Sequence, residues 1–518
     1  MKSRFLIIVI ILILSLPSIF PLFHSGFFQT DDGEWMVIRF SSFYQALADG
    51  QFPVRWLGSL NYEFGYPVAS FLYPGFMYLG VPIKFIGFGF VDTIKIILGI
   101  SMIGSAIFSY FWLRRFFTIF AAIIGALLYL YAPYHLYDIY VRGSVGEILA
   151  LAIAPFILWQ VERRSIFWGS LSLGFLILAH NSLALLFLLL IFLYMVLDIY
   201  VTAKNKRQLV YKHTIILMLG AGLAAFFWIP AIYDLQYTVF SQIKISEWQK
   251  YFASYRLIGI HTFIILLLVL FFFLMKREAS KHRMTLMLFF VGIITLFASF
   301  SISYSLWNIL PVSFLQFPFR LLSIMIICTA FLGAFLVNSF TEKKRYILGA
   351  IIFFLLVFSA LPYLKPGVFF DKGEGFYATN MDTTTVKNEY MPKWVKDHPI
   401  SRPENKVVAD GVEVSNVIAK TNKIQFTAQT DEESKITVNT IYFPGWRAVV
   451  DSQEVKIDYG NKQGTIRFSI PEGSHGVSVY FSETSLRLSS DIISLVSIVI
   501  LLVLTFFKAP RRGLGKLK

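Results

Sequence analysis

Long apolar runs constrain this chain more than any other feature. Residues 5–23, 94–113 and 257–275 are almost unbroken in apolar side chains, and more runs of similar length follow. About 18 to 20 such residues reach across a hydrocarbon core as a helix, which satisfies its own backbone polar groups where no water can. Charged residues make up 15% of the 518, against about 25% in an ordinary soluble chain. With 56% hydrophobic residues and a mean hydropathy of +0.65, the chain reads as a polytopic α-helical membrane protein.

The net charge of +15 invites a nucleic-acid reading that its distribution excludes. Residues 366–487 hold fourteen Lys and Arg against sixteen Asp and Glu, so the excess lies in short loops between apolar runs. Such basic loops face the cytoplasm in membrane proteins. Membrane lipid, not nucleic acid, is the expected partner. Cys328 is the single cysteine and lies in an apolar run, leaving no intramolecular disulfide and no cysteine metal cluster. Lys2 and Arg4 precede the first run, and no small-x-small cleavage pattern follows it. An uncleaved first span is expected.

With the N-terminus cytoplasmic, Arg114, Arg115, Arg163, Arg164 and the basic runs at 204–212, 276–283, 343–345 and 508–518 all fall inside. The arrangement needs about twelve spans, near 5–22, 94–113, 116–133, 145–162, 165–180, 182–200, 214–232, 257–275, 284–303, 321–340, 346–363 and 488–507. It describes a multi-pass plasma-membrane protein with both termini cytoplasmic. Segment 68–90 is apolar but broken by Pro74, Pro82 and Lys84, and is expected to be embedded or to lie at the outer surface. Three regions follow: a transmembrane domain over 1–363 with a first outer loop at 23–93, an extracytoplasmic domain over 364–487, and a last helix with a basic tail over 488–518. Strand-like alternation at 435–442 and 464–470, with turns at Pro444-Gly445, 458–461 and 471–473, predicts a β-sandwich in the middle region.

Candidate chemistry gathers at the outer ends of the spans. The first outer loop opens Thr30-Asp31-Asp32-Gly33-Glu34. Its carboxylates suit a general base, or a divalent ion such as Mg or Mn held by Glu34 with Asp31 or Asp32. The same spacing suits a helix cap for an amphipathic helix on the bilayer, with Met36, Phe40, Phe43, Tyr44 and Leu47 on one face. Arg142 offers a bidentate grip for a phosphate, or else a simple ion pair with Glu147 near the interface. His180 and Asn181 sit at an outer helix end, where polar groups are either functional or paired as caps. Arg320 is a phosphate ligand or an interfacial anchor. Trp446 and Tyr442 suit a sandwich core better than sugar stacking.

The Tyr-Val-Arg-Gly-x-x-x-Glu stretch (140–147), His180-Asn181, Phe317-Pro-Phe-Arg320 and the acidic loop opening resemble the bacterial membrane family labelled "6-pyruvoyl-tetrahydropterin synthase-related". Asn388-Glu-Tyr-Met-Pro392 and Tyr442-Phe-Pro-Gly-Trp-Arg-Ala-Val-Val-Asp451 resemble the similar YfhO-type membrane proteins. The pterin label adds nothing, since the chain lacks the clustered zinc-binding histidines of a soluble pterin synthase. Both families resemble GT-C glycosyltransferases. That resemblance implies sugar transfer from a polyprenyl-phosphate donor to a glycan, lipid or protein acceptor of the cell envelope. It implies Asp31 or Asp32 as base, with Arg142, Arg320 and His180 near the leaving phosphate, Glu147 and Asn181 beside them, and a divalent ion in part of the class. A transporter of lipid or polysaccharide and a non-catalytic envelope assembly protein are the other readings of a many-span chain of this kind.

Overall fold

The computed structural model describes residues 2–202, 205–242, 248–276, 282–309, 315–381 and 388–506. The basic tail at 508–518 and parts of the basic runs at 204–212 and 276–283 lie outside the described residues. In chain order the helices are α1 Lys2–Ile19, α2 Gly33–Ala48, α3 Gly75–Phe85, α4 Phe90–Leu113, α5 Ile119–Leu130, α6 Pro133–Tyr137, α7 Val145–Arg163, α8 Ile166–Ala179 and α9 Asn181–Val201. They continue as α10 Lys206–Leu223, α11 Ala225–Asp234, α12 Tyr255–Ile258, α13 Ile260–Lys276, α14 Arg283–Ser299, α15 Tyr304–Ile309, α16 Leu322–Ser339, α17 Glu342–Ala360, α18 Gly373–Thr379 and α19 Ser485–Phe506.

Seven helices among the described residues are long and apolar enough to cross a bilayer, or ten if three bent pairs each count as one span. The twelve expected segments are all helical, but not all are full spans. The 116–133, 214–232 and 284–303 segments belong to pairs bent by 40°, 65° and 82°, and the helices at 166–179 and 260–275 are short. Helices α7 and α16 are buried over more than four-fifths of their apolar length, whereas α1, α17 and α19 are mostly exposed. A helix apolar on every face belongs inside a bundle or against lipid, so α7 and α16 form the centre and the other three the rim. α7 packs on α4 and α8, and α16 on α5 and α14.

Helix α2 departs from the expected surface helix. Met36 to Phe43 are all buried, and α2 packs on α3, α4 and α18. Its polar face is covered by protein, a tertiary contact that helical periodicity does not report. Segment 68–90 forms no span of its own: α3 is short and packs against α2, α4, α7 and α8.

The expected sandwich is present. After a short pairing of β1 Phe27–Phe28 with β2 Phe369–Phe370, the strands are β3 Val407–Ala409, β4 Val412–Lys420, β5 Lys423–Thr430, β6 Ser434–Ile441, β7 Trp446–Val450, β8 Gln453–Val455, β9 Thr465–Ile470 and β10 Gly473–Phe481. One antiparallel sheet runs β4-β5-β10-β7-β8 and the other β3-β6-β9. Period-two side chains face inward: Ile424, Phe426 and Ala428 from one sheet, and Ile436, Val438, Ile466, Phe468 and Ile470 from the other. Trp446 is buried against Trp56 and Phe481, the core role expected of it.

The sandwich is bolted to the bundle through the first loop. Arg55 reaches Glu483 at 3.2 Å and Asp491 at 2.8 Å, and Arg487 holds Asp234 at 2.8 Å. These contacts place the β-rich domain and the loop after α1 at the same end of the bundle. Arg115, Arg163 and Arg164 lie at the far ends of α4 and α7.

Candidate active site

The acidic turn is docked by its backbone. The amides of Asp31 and Asp32 donate to the carbonyls of Val141 and Arg142 at 3.0 and 2.8 Å. The receiving edge is a π-helical turn, Asp138–Arg142, that follows α6. Gly143 closes it at φ +66°; a Cβ there would lie 2.4 Å from Thr30 Oγ1 and 2.8 Å from the Gly33 nitrogen. Only glycine allows both that backbone and that approach.

The expected capping by Asp31 is not what the helix uses. Asp32 is the residue preceding α2 and makes no side-chain cap bond; the Gly33 amide donates instead to Thr30 Oγ1 at 2.9 Å. Both aspartate side chains are therefore left free of a capping task. Asp31 reaches solvent, yet the protein crowded around it, and next the charge of Asp32, raise its pKa above the ordinary carboxylate value. Asp32 Oδ2 lies 3.7 Å from Arg142 Nη2.

Arg142 leads into a buried charge cluster. Its Nη1 donates to Asp138 Oδ1 at 2.8 Å and to Glu147 Oε1 at 2.5 Å. The same Glu147 oxygen accepts from Arg320 Nε and lies 2.9 Å from Arg320 Nη2. Tyr134 donates to the other Glu147 oxygen, Oε2, at 3.2 Å, and His180 Nε2 stands 3.6 Å from Oε1. Two guanidiniums against two buried carboxylates give a near-neutral core, which is what makes burial of four charges tolerable. The ion-pair reading of Arg142 and Glu147 is thus realised, and Arg320 points inward as a partner of Glu147. One acceptor is left over: Asp138 Oδ2 is buried without a hydrogen-bond partner among the described residues. The rings of Phe317 and Phe319 flank Arg142 at 5.7 and 5.3 Å.

His180 does two things. Its Nδ1 accepts from the Leu183 amide at 3.2 Å, capping α9, which leaves Nε2 facing Glu147. Asn181 is not drawn into the cluster; its side chain donates to the Phe71 carbonyl at 2.9 Å. Glu34 also lies apart, held by Lys372 at 2.6 Å and reached by the Tyr377 hydroxyl at 3.4 Å. Among the described residues no three His, Cys, Asp or Glu side chains gather as a metal site.

Two participants were not singled out from sequence. Glu389 arrives from the segment before the sandwich, where burial raises its pKa against the opposing charge of Arg39, and Asp32 raises it further. Its neighbour Tyr390 is stacked between Phe71 and Phe240, at 5.0 and 5.5 Å, which pins the segment between the first loop and the stretch after α11. Arg39 is buried in α2. The 388–392 motif was visible in the sequence, but nothing local linked it to a turn more than 350 residues earlier.

The fold and the cluster define a polytopic helical membrane protein whose candidate site lies at the bundle end that carries the β-rich domain. A family model described as "6-pyruvoyl-tetrahydropterin synthase related domain; membrane protein" matches residues 71–366. The chain belongs to that family. No curated protein matches it. Among solved structures, the crystal structure of the Archaeoglobus fulgidus oligosaccharyltransferase in complex with Zn and sulfate is similar at 14% identity and a TM-score of 0.42. The match covers 71% of this chain and 54% of that one, so the chain spans about half the length of that protein.

Proposed function

We propose that the chain is a GT-C-like membrane glycosyltransferase that moves a sugar from a polyprenyl-phosphate donor to a cell-envelope acceptor on the outer face. The supporting observation is the 3.7 Å approach of Asp32 to Arg142, which joins the acidic turn to a cluster that includes Arg320 and His180. An acceptor hydroxyl attacks the anomeric carbon while Asp31 or Asp32 takes its proton. The bond from that carbon to the phosphate oxygen breaks, and polyprenyl phosphate leaves with the electron pair. Arg142 stabilises the departing charge from the Nη2 edge that faces Asp32. A non-catalytic assembly role draws on a different observation, that Glu147 already pairs with both guanidiniums.

Asp31→Asn and Asp32→Asn separate the two. Asn keeps size and polarity but loses basicity, so the base variant is expected to insert and fold normally while turnover falls by about a hundredfold or more. Transfer from a pool of labelled polyprenyl-phosphate sugars by purified protein is the measurement. An active wild type with both variants at its rate removes these acids from the chemistry.

A further inference from the structure

The end of the bundle opposite the candidate site carries a second charged groove. Its cavity, about 480 Å³, opens between the far ends of α4, α7 and α9 and is lined by Arg115, Glu162, Arg163, Arg164 and Asp198. The acids in it are occupied. Glu162 accepts from the Tyr194 hydroxyl at 2.5 Å. Asp198 accepts from Thr202 Oγ1 at 3.3 Å and lies 3.4 Å from the buried His213. The cations are not equally engaged. Arg163 lies over the Trp159 ring, whereas the exposed guanidiniums of Arg115 and Arg164 make no hydrogen bond or ion pair within 4 Å among the described residues, although their charges act on Glu162. Arg164 is held in place by its backbone, a left-handed residue at φ +55° that ends α7.

We infer that this groove is an anion site for a phosphate group, presented either by a phospholipid headgroup or as free phosphate. Two guanidinium forks with unspent donors match the paired oxygens of a phosphate. The volume lies in the range of pockets of about 300 to 1,000 Å³ that enclose small ligands, so it has room for more than one phosphate. Basic pockets between helix ends at the bilayer edge are where lipid headgroups are held. The site stands apart from the transfer reaction, since its residues share no contact with the acidic turn.

Purified full-length protein in dodecyl maltoside is titrated with dihexanoylphosphatidylglycerol and, separately, with inorganic phosphate, following the thermal unfolding midpoint. Saturable stabilisation is expected, with the affinity falling about tenfold or more in Arg115→Gln/Arg164→Gln. The Arg115→Lys/Arg164→Lys pair keeps charge but not the forks, and is expected to bind with intermediate affinity. Stabilisation by both probes identifies free phosphate as sufficient; stabilisation by the lipid alone identifies the headgroup. If the double Gln variant does not fold, each single Gln variant carries the test. No saturable shift with either probe, or wild-type affinity in the Gln variants, overturns the inference.

Discussion

Glu147 sets the electrostatics of the candidate site by holding Arg142 and Arg320 on one oxygen, which leaves the Nη2 edge of Arg142 to Asp32. Asp31, beside it, carries a raised pKa from surrounding protein and from Asp32. For a carboxyl raised on folding, the favourable contribution is full below its unfolded pKa and is lost as pH rises through its folded pKa. Once ionised, Asp31 therefore opposes folding. Asp31→Asn is expected to leave the unfolding midpoint at pH 7 unchanged or higher, and to lose that advantage when the measurement is repeated near pH 3. A lower midpoint at pH 7 would mean that the Asp31 charge is structural. Arg142, Glu147, His180 and Arg320 were legible because Arg, His and acids at helix ends are costly without a role. Their division of labour was not legible: Asn181 and His180 are adjacent in sequence, yet one ties down Phe71 and the other faces Glu147.

The elements that build the site are short turns rather than spans. The turn at 30–33 rests on the edge of Asp138–Arg142 through two backbone hydrogen bonds, with Gly143 as the point of closest approach. Gly143→Ala forces a left-handed alanine, costing about 1–2 kcal/mol, and drives its Cβ into Thr30. The expected result is a lower unfolding midpoint together with reduced turnover, while Gly87→Ala, at positive φ in open space, lowers stability alone. Equal turnover in the two variants would separate the turn contact from the chemistry. At this scale sequence served unevenly. Alternation located β6 and β9 because each strand has one buried face. Apolar length located the helices but not their bends, which fall at 131–132, at Ala224 and at Phe300. The moment of α2 pointed to a bilayer surface that α3, α4 and α18 instead occupy.

Across the whole molecule, charge and chemistry separate to opposite ends. The acidic turn, the buried cluster and the sandwich share one end, and Arg115, Arg163 and Arg164 share the other. If the basic end is cytoplasmic, the sandwich is outside. In a Cys328→Ser background, a membrane-impermeant thiol reagent on intact cells is expected to label Ser474→Cys and to spare Asn205→Cys; the reverse pattern inverts the orientation. The central claim is that this molecule breaks the bond between a sugar and its lipid phosphate. Its most direct test reconstitutes the purified chain in liposomes with a polyprenyl-phosphate sugar labelled separately in sugar and lipid, plus cell-envelope acceptors. The account predicts that the two labels part, with the sugar on the acceptor and the lipid recovered as polyprenyl phosphate. Both labels staying together, whether the donor stays put or crosses the bilayer intact, would contradict it.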